Sequence, residues 1–343
     1  MTTILHVLPH RGGGAETYLK LLAELDGYRQ ERVELSAART ALAAIPSIVQ
    51  HYPVLARRAR EADLVHVHGD AAALLALPLL GGTRSVWTTH GLHLMRRHPF
   101  VERGVRAVMK RTRITICTSS AEAHELEAIA PRLADRLTVV LNGVAPSPPA
   151  DPVTAAAVRA ELGVGSEEIV ALFLGELEPR KRPLDAIAAA RSARAEGAPI
   201  VLLVAGRGPL EQTVREQADE SVRVLGFRND PDRLLAAADI FVLPSEREGL
   251  SFALLEAMGH GLAVVVADGA GNPEAIGDAG VVVAAGDRGE LARALTELAR
   301  DDNLRGSLGR AARKRIELEL TPERLCVGVK EAYERALRGG EIS

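Results

Sequence analysis

Two glutamates with seven residues between them, Glu248 and Glu256, lie in the stretch DIFVLPSEREGLSFALLEAMGHGLAVVV at 239–266. The spacing predicts a buried strand ending at Pro244-Ser245, a loop holding Glu246, Glu248 and Gly249, and a helix from about Ser251. In the loop, the Glu248 carboxylate is placed to meet a ligand. Glu256 falls more than a turn into the apolar run FALLEAM, where a carboxylate is costly to bury without partners. The paired hydroxyls of a ribose would satisfy it, because a carboxylate accepts two hydrogen bonds side by side. The competing reading is that Glu256 faces solvent or pairs with a basic residue. The backbone amides at the helix start, around Leu250 and Ser251, suit a phosphate. A second phosphate candidate is the run Gly12-Gly13-Gly14 between the first strand and the first helix, where glycines let backbone approach an anion closely. It is not the spaced G-x-G-x-x-G of dinucleotide sites, and a plain strand-to-helix turn explains it equally well.

Other groups are weighed the same way. Asp230-Pro231-Asp232 has the spelling of a metal-binding acidic pair, but Asp232 reads better as the N-cap of the helix DRLLAAAD. His6, His66, His68, His90 and His93 lie at or near strand ends. A zinc site needs three or four converging ligands, and the spacing reveals no such set, so no metal is expected. His90, directly after a strand in TTHGLH, is the favoured substrate contact, with His68 and His10 weaker. The run RRHPFVERGVRAVMKRTR at 96–113 carries Arg96, Arg97, Arg103, Arg106, Lys110, Arg111 and Arg113 against one glutamate. Val101, Val105, Val108 and Met109 give it an apolar side. It reads either as a surface for an anionic bilayer or acceptor, or as a solvated helix face.

The elements that must position these groups alternate along the chain. Strands are expected at 3–8, 64–67, 84–89, 114–118 and 137–141, then at 169–174, 200–205, 222–225, 239–243, 262–266 and 281–283. A helix is expected at 15–25 and an amphipathic one at 322–338. Strands that are apolar throughout, separated by helix-length segments, indicate parallel sheets covered on both faces. APSPPADPV at 145–153, with four prolines in nine residues, reads as the break between two series. The class is α/β, with two Rossmann-like, doubly wound domains facing a central cleft. The divisions are 1–146, a linker with the first helix of the second half at 147–164, 165–317, and a terminal helix at 318–343 free to return to the first domain.

Composition limits function. The chain has 343 residues, 47% hydrophobic and 25% charged, which fits two globular domains. A formal charge of −3 and 3% aromatic residues argue against a nucleic-acid partner. Two cysteines, Cys117 and Cys326, make neither a disulfide framework nor a zinc cluster. No apolar run reaches the roughly 18 residues of a membrane span, and no basic-then-apolar leader is visible. The expected location is the cytoplasm, peripheral to the inner membrane face where the basic run makes contact.

The block EGLSFALLEAMGHGLAVVVAD resembles the E-G-F-G-L-x-x-x-E-A-M-A-x-G-x-P-V-V-A of the retaining glycosyltransferases of family 4, which have the GT-B fold. Other matching pieces occur in order: HVHG at 66–69, TTHG at 88–91, CTSS at 117–120, NGV at 142–144, GELEPRK at 175–181, GRGP at 206–209, LGF at 225–227 and GNPEAI at 271–276. The resemblance implies that Glu256 binds the ribose of a nucleotide sugar and that Glu248 orients the donor sugar. It implies that Gly13 and Gly14 bring amides to the diphosphate and that Lys181 neutralises it, with Arg180 or Arg182 beside it. It also implies that His90 sits near the donor sugar, that Gly226 and Phe227 meet the base, and that Leu250, Ser251 and Glu274 line the same pocket. The acceptor would be a saccharide, a lipid-linked molecule or a small molecule, and no cofactor or metal would be needed. One departure bears on the phosphate clamp: Glu176 occupies the family's usual arginine position, so it must point away or be paired. Ala145 and Ala263 replace a common aspartate and a common proline as tolerated turn or packing changes. Two other readings remain open at this stage, a non-catalytic nucleotide-sugar-binding protein and an NAD-dependent oxidoreductase.

Overall fold

A computed structural model describes residues 1–9, 13–35, 52–93, 99–148 and 151–338. Gly12, His10, Arg96 and Arg97 lie outside the described residues. The chain divides into two compact units. One comprises Met1–Asn142, Glu248–Leu250 and Pro322–Ser343; the other comprises Gly143–Arg247 and Ser251–Thr321.

The first unit holds a six-stranded sheet of β1 (Thr2–Leu8), β2 (Tyr28–Glu34), β3 (Leu64–His68), β4 (Ser85–Thr88), β5 (Ile114–Cys117) and β6 (Leu137–Val139). Its order is β2-β1-β3-β4-β5-β6, with every pairing parallel. β3, β4 and β5 are buried along their whole length, and their apolar residues are interrupted only by the buried polar side chains of His66, His68, Ser85, Thr88 and Thr115. β2, YRQERVE, was not among the expected strands. It sits at the sheet edge and is nowhere fully buried, so its charged residues hide the pattern that marks a central strand. The helix Pro322–Arg338 belongs to this unit, with Leu325, Val329, Ala332, Tyr333 and Ala336 buried.

The second unit repeats the architecture with β7 (Ile169–Leu174), β8 (Ile200–Ala205), β9 (Val222–Gly226), β10 (Ile240–Leu243), β11 (Ala263–Ala267) and β12 (Val281–Val283). The order β12-β11-β10-β7-β8-β9, again all parallel, reverses direction at β7 and β10. Such a switch point leaves a crevice beyond the carboxyl ends of the strands. Core residues from Ala171 to Ala299 fill one sheet face against the helices Pro183–Ala195 and Arg288–Arg300.

Two local expectations are corrected. The proline-rich run does not stay irregular to Val153: Asp151 caps a helix that opens at Pro152, where a missing N–H costs nothing. Asp232 is not an N-cap either. The helix Pro231–Ala237 is preceded by Asp230, and the Asp230 carboxylate is occupied by Arg228 at 2.7 and 2.8 Å and Arg233 at 3.2 Å.

Candidate functional site

In the second unit the candidate groups gather where the strands end. β7, β8 and β9 finish in glycine-bearing turns at Gly175, Gly206 and Gly226. Gly206 donates its N–H to Gly226 at 2.8 Å, and a Cβ on Gly206 would lie 1.8 Å from the Gly175 carbonyl oxygen. The GELEPRK and GRGP segments therefore form one packed pair of loops, tied also by Leu210 N–H to Leu177 O at 2.9 Å. Phe227, 60% exposed, follows Gly226, and the Arg207 guanidinium stacks 4.5 Å from its ring centre.

The basic tripeptide sits in a short turn, Pro179–Lys181, closed by Arg182 in the left-handed region at φ 52°. The Arg180 Nε donates to Glu178 at 2.9 Å, and Glu176 lies 3.9 Å from the same guanidinium. Glu176 is thus paired. Its hydrogen bond with Glu178, burial and the Glu178 charge push its carboxyl above the usual range, while Arg180 and Lys181 oppose them. Arg182 is held between Asp185 and Glu246, the latter at 2.5 Å.

Ser251 takes the N-cap position of the helix Phe252–Gly259. On that helix Phe252, Leu254, Leu255, Ala257 and Met258 are buried, and Glu256 is half-buried among them. Among the described residues Glu256 has no ion-pair partner. Burial, and then the charge of Asp232, push its carboxyl up to about 7. Glu274 lies in the short helix Asn272–Ile276, whose carbonyls at Glu274 and Ala275 accept from Arg315 at 2.9 and 2.8 Å. At this same strand-end region Ser245 Oγ and Asn272 Oδ1 are buried without a hydrogen-bond partner among the described residues.

In the first unit the glycine run is described from Gly13. Gly13 has φ 74° and precedes the helix Gly14–Leu22, and a Cβ there would meet open space. The positive φ, not crowding, favours glycine; Gly13 and Gly14 are exposed, Ala15 and Glu16 are partly buried, and the Glu16 N–H bonds the Gly13 carbonyl at 3.1 Å.

His90 follows β4 at φ 51°, and Gly91 and Leu92 continue at φ 117° and 41°. This strained turn is held from beneath by Glu122, which is 1% exposed. Its Oε1 accepts from the Gly91 N–H at 2.6 Å, and its Oε2 accepts from the hydroxyls of Thr89 and Thr118 at 2.7 Å and from the Thr118 N–H at 2.8 Å. Gly249, clustered with this unit, packs onto the same place: a Cβ on it would lie 2.3 Å from Thr118 Oγ1 and 3.0 Å from Gly91 N. Beside it Glu248 is 5% exposed and Leu250 is 4% exposed, and the Leu250 carbonyl accepts from Asn142 at 2.7 Å.

His6, His66 and His68 converge, with one ring nitrogen of each within 4.8 Å of the others. Residues two apart on a strand share a face, and His6 stands opposite His66 in the β1–β3 register. Each of the six ring nitrogens has a protein partner: His6 pairs with Gln30 and His68, His68 also with His90, and His66 with Tyr333 and Thr88.

Two family models match successive parts of the chain. "Glycosyl transferases group 1" covers residues 155–315, and "Glycosyltransferase Family 4" covers 12–147. The chain belongs to the glycosyltransferases of family 4. Among relatives of this glycosyltransferase is a GDP-mannose-dependent monoacylated alpha-(1-6)-phosphatidylinositol monomannoside mannosyltransferase of Corynebacterium glutamicum. It is 34% identical over 184 residues, which span 50% of this chain and about half, 48%, of the relative. An alpha-maltose-1-phosphate synthase of Mycobacterium tuberculosis is 29% identical over 322 residues, 84% of this chain and 81% of the relative. The crystal structure of Anabaena HepE in complex with UDP-glucose superimposes with a TM-score of 0.83 over 97% of this chain and 100% of that one, at 20% identity. That likeness places the glycosyltransferase in the GT-B fold.

Sequence reasoning about this glycosyltransferase missed Glu122 and the histidine convergence. Ser119-Ser120-Ala121-Glu122 is a capping-box spelling, and Ser119 does cap the helix Ser120–Ile129, but the acidic partner turns to Thr118 and Gly91. The H-x-H of β3 signals two imidazoles on one face; His6 is added only by the sheet order. The basic run forms the helix Pro99–Arg111, and its apolar side is spent inward. Val105, Val108 and Met109 are buried in the unit's own core, leaving Arg103, Arg106, Lys110 and Arg111 outward with Phe100, which is 71% exposed.

Proposed function

We propose that this glycosyltransferase moves a sugar from a nucleotide diphosphate sugar to a hydroxyl-bearing acceptor, with retention of the anomeric configuration and without a metal. The observation that carries the donor reading is Glu256: a half-buried carboxylate, on an apolar helix, with its pKa pushed up to about 7 and no ion-pair partner among the described residues. The two vicinal hydroxyls of a ribose supply what it lacks, two donors that favour its charged form. The named substrate of the Corynebacterium relative and the UDP-glucose of the Anabaena complex are in keeping with such a donor.

The leaving diphosphate gains negative charge as the glycosidic bond breaks, and fixed positive ends must stabilise it. Lys181 and the amides at the starts of the helices Gly14–Leu22 and Phe252–Gly259 are assigned that work. Arg180 joins them where the diphosphate displaces Glu178 as its partner. Gly226 and Phe227 serve the base, Glu248 and His90 the transferred sugar, and Glu274 the same pocket. The departing phosphate oxygen takes the acceptor proton on the face it leaves, which yields retention. The acceptor class is a saccharide, a lipid-linked molecule or a small molecule, and the basic outer face of the helix Pro99–Arg111 supports an anionic one or an anionic membrane surface. No helix among the described residues is long and apolar enough to cross a membrane.

The test is calorimetry with nucleoside diphosphates on the wild type and on Glu256→Ala. Binding to the wild type, weakened about tenfold or more in the variant at unchanged thermal midpoint, is the expected result, since two charge-assisted bonds are lost. Equal affinities would remove Glu256 from the donor site.

A further inference from the structure

The imidazoles of the first unit form a chain with a direction. The side-chain amide of Gln30 donates through Nε2 to the Leu22 carbonyl at 3.2 Å, which fixes its Oε1 as the atom facing His6 Nε2 at 2.6 Å. A carbonyl oxygen accepts only, so His6 must carry its proton on Nε2. His6 is buried, and burial pushes its pKa down to about 4, so it holds a single proton and its Nδ1 is a lone pair. That lone pair faces His68 Nε2 at 2.8 Å, which must therefore be the N–H. His68, also buried and held neutral, presents Nδ1 as a lone pair to His90 Nε2 at 3.0 Å. His90 in turn must be protonated on Nε2. Its pKa is pushed down to about 3 by burial and then by His93, so Nδ1 is its lone-pair nitrogen. Stacking of His6 on His68 and of His68 on His90, at centroid distances of 5.1 and 5.3 Å, and the edge of Tyr18 at 4.8 Å from His90, hold the three rings in place. Thr88 and Tyr333 engage His66, not the relay itself, and His93 stands beside His90 at the end of the relay.

We propose that Gln30 is a positioning residue that sets the tautomer of His90 through His6 and His68, so that His90 offers Nδ1 as an acceptor to a hydroxyl of the substrate. The proposal rests on the reading of His90 as a sugar contact. It adds a chemical selection: a hydroxyl, which can donate, is taken at that position, and a carboxylate, which cannot, is refused. Gln30 lies on β2, the edge strand whose residue types gave no sign of a function.

The experiment uses the full-length chain labelled with ¹⁵N in its histidine rings, where nitrogen shifts separate protonated from unprotonated atoms. His6, His68 and His90 are expected to show Nε2–H in the wild type. Gln30→Met keeps bulk but removes the acceptor, so His90 should populate both tautomers, with kcat/KM for a nucleotide sugar falling about tenfold and nucleoside diphosphate affinity unchanged. Nδ1–H on wild-type His90, or a His90 spectrum that Gln30→Met leaves unmoved, overturns the proposal without any assay of turnover. The expected spectra combined with undiminished turnover by His90→Ala would instead overturn the sugar contact of His90, leaving the one-way chain intact.

Discussion

Glu256 ties its own ionisation to the stability of the unit that holds it. Its carboxyl is raised from the usual 4.5 to about 7, first by burial and then by Asp232. A group that holds its proton more tightly when folded adds stability below its unfolded pKa and loses that contribution as pH rises through the folded value. The window is therefore about 4.5 to 7, and the full loss is on the order of 3 kcal/mol. Glu256→Gln should unfold at a higher urea midpoint than the wild type at pH 8 and near the wild-type midpoint at pH 5. Parallel midpoints at both pH values would refute the shift. If the charged form is the one that accepts the ribose hydroxyls, nucleotide affinity of the wild type should also weaken as pH falls from 8 to 6. The position of this residue was legible in the sequence because one acid interrupts FALLEAM. Its neighbourhood was not: Asp232, which faces it from another helix, read as a cap, and local spelling carries no record of which helices meet.

At the scale of elements, the strands were legible because a parallel sheet buried on both faces leaves uninterrupted runs such as IVALFL and IVLLVA. The loops between them were legible only as motifs. Their physical reason appears once strands are side by side: GRGP carries glycine because Gly206 abuts the Gly175 carbonyl across the sheet, at φ 152°. Gly206→Ala should cost about 2–3 kcal/mol, since backbone and not a flexible side chain must move. Gly197→Ala is the control. Gly197 also has a positive φ, of 81°, but nothing lies within 4 Å of its Cβ position, so only the conformational cost of about 1 kcal/mol applies. Urea unfolding of the two variants side by side checks the difference, and equal losses would mean that the carbonyl contact is not what reserves position 206 for glycine. The basic helix teaches the converse lesson. Its amphipathic spelling was plain, yet amphipathicity alone does not say whether the apolar side serves a bilayer or the protein's own core, and Val105, Val108 and Met109 serve the core.

Across the whole molecule, the first unit is discontinuous in sequence. Met1–Asn142 supplies its sheet, and Pro322–Arg338 supplies a helix whose Tyr333 hydroxyl meets His66 Nδ1 at 2.7 Å and whose Ala336 carbonyl accepts from Arg113 at 2.8 Å. A fragment ending at Asn142 would leave buried strands uncovered where that helix belongs. It should show no cooperative thermal transition, whereas addition of a synthetic 322–338 peptide should restore one if the helix is the missing cover. A cooperative transition in the fragment alone would show that the helix is dispensable. Two parallel-sheet halves could be read from alternation, but the chain divides at Asn142 and Gly143, ahead of the proline-rich run, and membership of the last helix depends on contacts some two hundred residues apart in the chain.

That arrangement also sets a schedule for synthesis. On the ribosome, the strands of Met1–Asn142 emerge before the second unit, and the helix Pro322–Arg338 that must close over them emerges only after it. The downstream half has all its own strands in hand earlier and can complete itself while the upstream half still waits. During that interval the unsealed sheet is the sticky part of the nascent polypeptide, and chaperones that guard exposed apolar surface have their work there.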